Sequence, residues 1–259
     1  MGKIKDEAAA CGLAVQLLTR VPLPVKVEYT AARFAASARY YPLVGVAIGL
    51  VAGLAFSVLV NVWPTAISVV LTVTFVIWMT GALHEDGFAD SCDALGGGRD
   101  KNRALEIMRD SRLGTYGVIG LALALMTKVV TLMHMHPTHI PLAFIGAHAI
   151  SRAAMSWVVM TSQYVRDAGT AQDLSESYSK GSLLVVLLIG MTALLPLALF
   201  GGQRLAVGML VGAALGYWLM RNRFEAKLGG YTGDCLGATQ QSSELGAYLG
   251  MLAAVSLVP

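Results

Sequence analysis

Runs of roughly 20 apolar residues, the length that crosses about 30 Å of hydrocarbon as a helix, recur along the chain and leave few folds open to it. They suggest spans at Leu43 to Val60, Trp63 to Thr80, Gly114 to Met133, Pro141 to Met160, Ser182 to Phe200, Leu205 to Met220 and Leu245 to Val258. With 56% hydrophobic and 14% charged residues, little sequence remains for a separate soluble domain. The expected fold is all-α: a polytopic membrane helical bundle of about seven transmembrane helices plus interfacial helices, one integral domain over residues 1–259. No fixed-period repeat is present, so an inverted-repeat transporter has no support in the sequence.

Charge placement sets the orientation, because Lys- and Arg-rich loops resist translocation. The N-terminal segment carries six, 81–113 five, 161–181 two and 221–243 three, together sixteen of nineteen. The N-terminal segment 1–40 and the segment 81–113 are therefore expected in the cytoplasm, with the C-terminus outside. All sixteen acidic residues fall in the cytoplasmic segments or, for Glu244, at their edge. A transporter more often sets carboxylates inside its spans. Lys3 and Lys5 before the apolar stretch Ala8 to Leu18 resemble a signal peptide, but Asp6, Glu7 and Thr19-Arg20-Val21-Pro22 favour a short interfacial helix ending at the Pro22 and Pro24 turn. A net charge of +3 without a basic run interleaved with aromatics argues against nucleic acid. Cys11, Cys92 and Cys235 lack metal-type spacing and read as reduced thiols acting as small fillers.

The segment after the second span runs His84-Glu85-Asp86-Gly87-Phe88-Ala89-Asp90-Ser91-Cys92-Asp93. Continued as helix, it sets Asp86, Asp90 and Asp93 on one face, where three like charges repel unless a cation neutralises them. All-oxygen ligands suit Mg²⁺ or Mn²⁺ bridging to substrate phosphates; a solvated acidic face is the plainer alternative. Glu85 points off that face and is expected in solvent. His84 is a candidate ligand contact or a polar cap. Gly97, in the run Gly96-Gly97-Gly98, offers backbone N–H groups for a phosphate or merely a linker. The following helix buries Ala104, Leu105, Ile107 and Met108 and shows Arg103, Glu106, Arg109 and Asp110. Arg109 and Arg112 suit pyrophosphate, or else anchor lipid headgroups. Arg152 lies roughly 12 Å inside its span and should face the bundle interior. Asp234, in a glycine-rich cytoplasmic turn, is a metal or guanine contact or a helix N-cap. Lys128 lies near the outer end of its span and is expected to snorkel.

The run H-x-D-G-x-A-D-x-x-D followed by L-E-I-M-R-D-S-R-L-G-T, here Leu105 to Thr115, resembles the adenosylcobinamide-GDP ribazoletransferase (cobalamin synthase) family. Arg20-Val21-Pro22-Leu23-Pro24, Tyr41-Pro42-Leu43-Val44-Gly45, Ser151-Arg152 and Gly230 to Ala238 look like further family segments in family order, so the likeness covers nearly the whole chain. Glu85, Ala94 and Cys235 depart from the usual family residues, and none of these changes removes a carboxylate.

The resemblance implies an inner-membrane enzyme of cobalamin biosynthesis in which a ribose hydroxyl of α-ribazole, or of its 5′-phosphate, attacks adenosylcobinamide-GDP with Mg²⁺ and releases GMP. Metal is then expected on Asp86, Asp90, Asp93 and Asp110, phosphate or substrate on Arg109, Arg112, Arg152, Asp234, His84 and Gly97, and the proton-accepting base is assigned to Asp93. The partners are the two substrates and the bilayer, with room for a homo-oligomer and for other enzymes of the pathway. A CDP-alcohol phosphotransferase also arrays aspartates at a membrane face, but its motif needs Ala-Arg where Ala89-Asp90 stands. A divalent-cation transporter with a vestibule ring of aspartates, and a scaffold without activity, are readings of other classes.

Overall fold

The computed structural model of the protein describes residues 2–24, 27–166 and 180–256. Most of the expected loop at 161–181 and residues 257–258 of the last expected span lie outside them. The described residues are helical, and their one extended pairing is a bridge between Tyr164 and Tyr231.

Two helix pairs give the bundle its frame. α3 (Tyr41–Leu59) crosses α8 (Ile140–Thr161) where Gly45 and Gly49 lie so close to the His148 carbonyl and the Ile145 backbone that a Cβ would fall 2.2 and 2.5 Å away. α10 (Gln203–Leu228) meets α11 (Gly233–Ser256) in the same way, Gly212 against Gly246. Small residues suit lipid, where burial of apolar area drives no association and close backbone approach supplies dispersion contact instead. Outward faces are correspondingly apolar, with Leu54, Trp78, Leu123, Phe200 and Val211 all exposed.

The chain is a multi-pass membrane protein. Among the described residues four helical stretches are long and apolar enough to cross by themselves, at Ala31–Leu59, Thr115–Met133, Pro137–Thr161 and Gly181–Gly201. A fifth is reached only if Thr65–Thr80 and Leu83–Gly97, bent by 89°, count as one. The segment expected at 63–80 is the 16-residue α4 (Thr65–Thr80), short for a full crossing. The segments expected at 205–220 and 245–258 belong to α10 and α11, whose helices continue through Arg221, Arg223, Glu225 and Lys227 and through Asp234, Gln240, Gln241 and Glu244. An apolar window read alone does not show that its helix continues into polar sequence.

Candidate active site

α4 ends at Gly81 and Ala82, both left-handed at φ 70° and 57°, and these two residues turn the chain into α5 (Leu83–Gly97). Gly81 tolerates that conformation without strain, and Arg20, whose backbone N–H donates to Met79 O at 2.8 Å, closes over it. α5 therefore leaves the direction of α4 and carries its carboxylates sideways.

The three aspartates share a face as expected, yet differ in surroundings. Asp86 is exposed, Asp90 half-buried and Asp93 buried. No hydrogen bond or ion pair among the described residues holds the side chain of Asp86 or Asp90. Burial, with Asp234, Asp86 and Asp93 adding like charge, pushes the Asp90 carboxyl up to about 6. Asp93 instead accepts the backbone N–H groups of Gly114 at 2.7 Å and Gly117 at 2.8 Å, so both its oxygens cap the start of α7 (Thr115–Met133).

The opposite wall comes from the start of α11. α5 and α11 touch through glycine: a Cβ on Gly87 would lie 2.9 Å from the Asp234 carbonyl oxygen, and one on Gly237 would lie 3.0 Å from that of His84. This crossing sets Asp86 and Asp90 beside Asp234. Arg166, which the sequence reading did not single out, pairs with Asp234 at 2.6 Å and donates to Met108 O at 3.2 Å. Even so, burial keeps the Asp234 carboxyl above its ordinary range. Asp86, His84, Arg166 and Asp234 line a cavity of about 360 Å³.

The remaining expected residues fall elsewhere. Arg112 clamps Asp110 at 2.6 Å, which holds that carboxyl down to about 2, and Arg112 itself is 87% exposed. Arg109 is exposed just beyond α6 (Lys101–Ile107), whose Asp100 caps the Arg103 N–H at 2.9 Å. Gly97 closes α5, and Gly98 donates to Ala94 O at 3.0 Å, so this run ends a helix and is absent from the cavity wall.

Arg152 does face the interior, 1% exposed, and donates to His148 Nδ1 at 3.1 Å. It belongs to a buried network and not to the cavity. Three expectations are corrected there. Lys128 does not snorkel: it is 4% exposed and lies 3.0 Å from Glu244. Glu244 sits inside the bundle rather than at its edge, 2% exposed. Glu85 is not solvated: at 6% exposure it accepts from Gln241 at 2.9 Å, while Gln241 takes a bond from Lys128 at 2.8 Å. The face of α5 that carries Glu85 packs on α11, which the period of one helix does not show.

Among the described residues no group of three or more His, Cys, Asp or Glu side chains closes on one ion. Mg²⁺ is commonly held by one or two carboxylates, with water and substrate phosphate completing the shell. Asp86 and Asp90, unpaired and crowded by like charge, fit that demand.

A family model described as cobalamin-5-phosphate synthase matches residues 10–252. The chain belongs to this family. Curated relatives include the adenosylcobinamide-GDP ribazoletransferase of Leptothrix cholodnii, 41% identical over 98% of this chain and 99% of that one. The enzymes of the same name from Vibrio cholerae, 37% identical over 93% and 92%, and Ralstonia pickettii, 36% identical over 99% and 100%, are also similar. No solved structure matches. Membership makes the chain an enzyme.

Proposed function

We propose that this protein joins α-ribazole, or α-ribazole 5′-phosphate, to adenosylcobinamide-GDP with release of GMP, at the cytoplasmic face of the inner membrane. The carrying observation is the glycine contact between Gly87 and Asp234, which brings Asp86 to the Asp234–Arg166 pair at one cavity, with Asp90 one turn further along α5. The names of the relatives supply the substrates. The basic residues gathered in 1–40, 81–113 and 221–243 support the orientation.

In this reading a ribose hydroxyl oxygen forms a bond to the cobinamide-side phosphorus, the phosphorus–oxygen bond to GMP breaks, and GMP keeps the bridging oxygen. Arg166 faces the charge that grows on the phosphates. The hydroxyl proton goes to Asp86 or Asp90, whose oxygens are unpaired, and not to Asp93, whose oxygens hold the start of α7. Whichever of Asp86 and Asp90 does not take the proton would hold Mg²⁺ or Mn²⁺, which would neutralise charge on the pyrophosphate.

The test uses purified protein in liposomes with both substrates and Mg²⁺. GMP release that depends on α-ribazole is expected. CMP release from CDP-diacylglycerol in its place identifies a CDP-alcohol phosphotransferase, and cation flux without turnover identifies a transporter.

A further inference from the structure

The cavity beside Asp86 is built from two unlike walls. α5, α11 and the 164–166 segment give it Asp86, Arg166 and Asp234, whereas Leu17 and Leu18 of α1 (Gly2–Leu18), Phe34 of α2 (Ala31–Ser37) and Met155 of α8 give it carbon. Leu18, Phe34 and Met155 are at most 4% exposed. Its volume of about 360 Å³ is enough for a small molecule and too little for a corrinoid. One further wall residue carries an unpartnered polar atom: Tyr41, 0% exposed, whose hydroxyl near Ser37 has no hydrogen bond. Buried polar groups are normally paired, so such a group on a cavity wall marks where a ligand's polar atom belongs.

We propose that the apolar wall seats the aromatic base of the acceptor nucleoside, with the Tyr41 hydroxyl reading its acceptor nitrogen and the ribose turned toward Asp86. This rests on the transferase reading above. Two aromatic bases compete for the site, the guanine of the donor and the base of α-ribazole. Guanine carries several donors and acceptors around its edge, which Leu17, Leu18, Phe34 and Met155 leave unsatisfied. A benzimidazole base presents two apolar faces, an apolar rim and one acceptor nitrogen, which matches a carbon wall with few polar points. The bulk of the corrinoid then lies outside the cavity, and only its pyrophosphate reaches the carboxylates.

Tyr41→Phe, Phe34→Ala and Met155→Trp test the assignment in liposomes. Each is expected to raise KM for α-ribazole, by about tenfold for the first two and more for the filled cavity, with KM for adenosylcobinamide-GDP within about twofold of the parent. A rise confined to adenosylcobinamide-GDP, or no change in either KM, overturns the proposal. Equilibrium dialysis of labelled α-ribazole against the parent and the Met155→Trp protein separates this from the function itself. Binding that the tryptophan abolishes, without any GMP release by the parent, upholds the base site and sinks the transferase reading. Turnover by the parent with α-ribazole KM unchanged in all three variants does the reverse.

Discussion

Two charged clusters meet at α5, on the sides marked by Glu85 and by Asp86, and they are built on opposite rules. On the inner face Lys128, Glu244, Glu85 and Arg152 bring equal numbers of positive and negative groups into the bundle, joined through Gln241 and His148. On the outer face Asp86, Asp90 and Asp234 crowd together with one arginine, Arg166, among them. A cluster that serves the fold closes its electrostatics internally, because an unpaired charge in lipid is costly. A cluster that serves a reaction leaves charge for something else to complete.

The sharpest break between the two comes from removing one charge from each. Glu244→Leu strands Lys128 beside Gln241 and is expected to lower stability by about 3–5 kcal/mol, read as a collapse of the melting transition in detergent. Lys128→Met in the same protein should recover most of that loss, and failure to recover would show that the pair is not self-contained. Asp86→Asn should do the converse: activity falls on the order of 10²–10³-fold while the melting temperature holds. Equal losses of stability in both variants would show that the outer cluster, too, serves the fold.

A smaller effect sharpens the geometry that brings the outer cluster together. Gly87→Ala places a methyl 2.9 Å from the Asp234 carbonyl oxygen and 3.0 Å from its Cα, so α5 and α11 must part. We expect about 1–3 kcal/mol of destabilisation and a lower turnover than stability alone accounts for. Turnover equal to that of the parent would detach Asp234 from the site.

The smallest expected effect concerns pH. A carboxyl raised to about 6 in the folded state binds its proton more tightly there than in the unfolded chain, where 3.8 applies. Its stabilising share is present below pH 4, is lost as pH rises through 6, and leaves a penalty above that. Asp90→Asn should therefore melt higher than the parent at pH 7.5 by about 1 kcal/mol, a figure already discounted for partial exposure, and should show no such advantage at pH 4. An unchanged difference across that range would mean that Asp90 does not feel its neighbours.

The sequence made the outer cluster legible and hid the inner one for a physical reason. Asp86, Asp90 and Asp93 lie within eight consecutive positions, so helical periodicity alone puts them on one face. The Lys128–Glu244 pair and the Glu85–Gln241 bond join residues more than a hundred positions apart, and each partner taken singly looks like an ordinary edge charge. Arg166 escaped notice for the same reason, since its partner Asp234 is 68 residues away. Asp93 was visible as a carboxylate but not as a cap, because the helix it caps begins 22 residues later, at Thr115. Apolar windows likewise hid the polar ends of α10 and α11, because each window stops where its helix runs on into charged sequence.

The turn at Gly81 and Ala82 has one more consequence. Each residue of an α-helix rotates the next by about 100°, so inserting or deleting a single position between Thr80 and Leu83 would swing the aspartates a quarter-turn or more away from Asp234 and drive Glu85 out of its contact with Gln241. Loops on the far side of the bilayer are free of that constraint. Length variation in this enzyme should therefore be tolerated between α3 and α4 or between α7 and α8, and be lethal to activity within this two-residue joint.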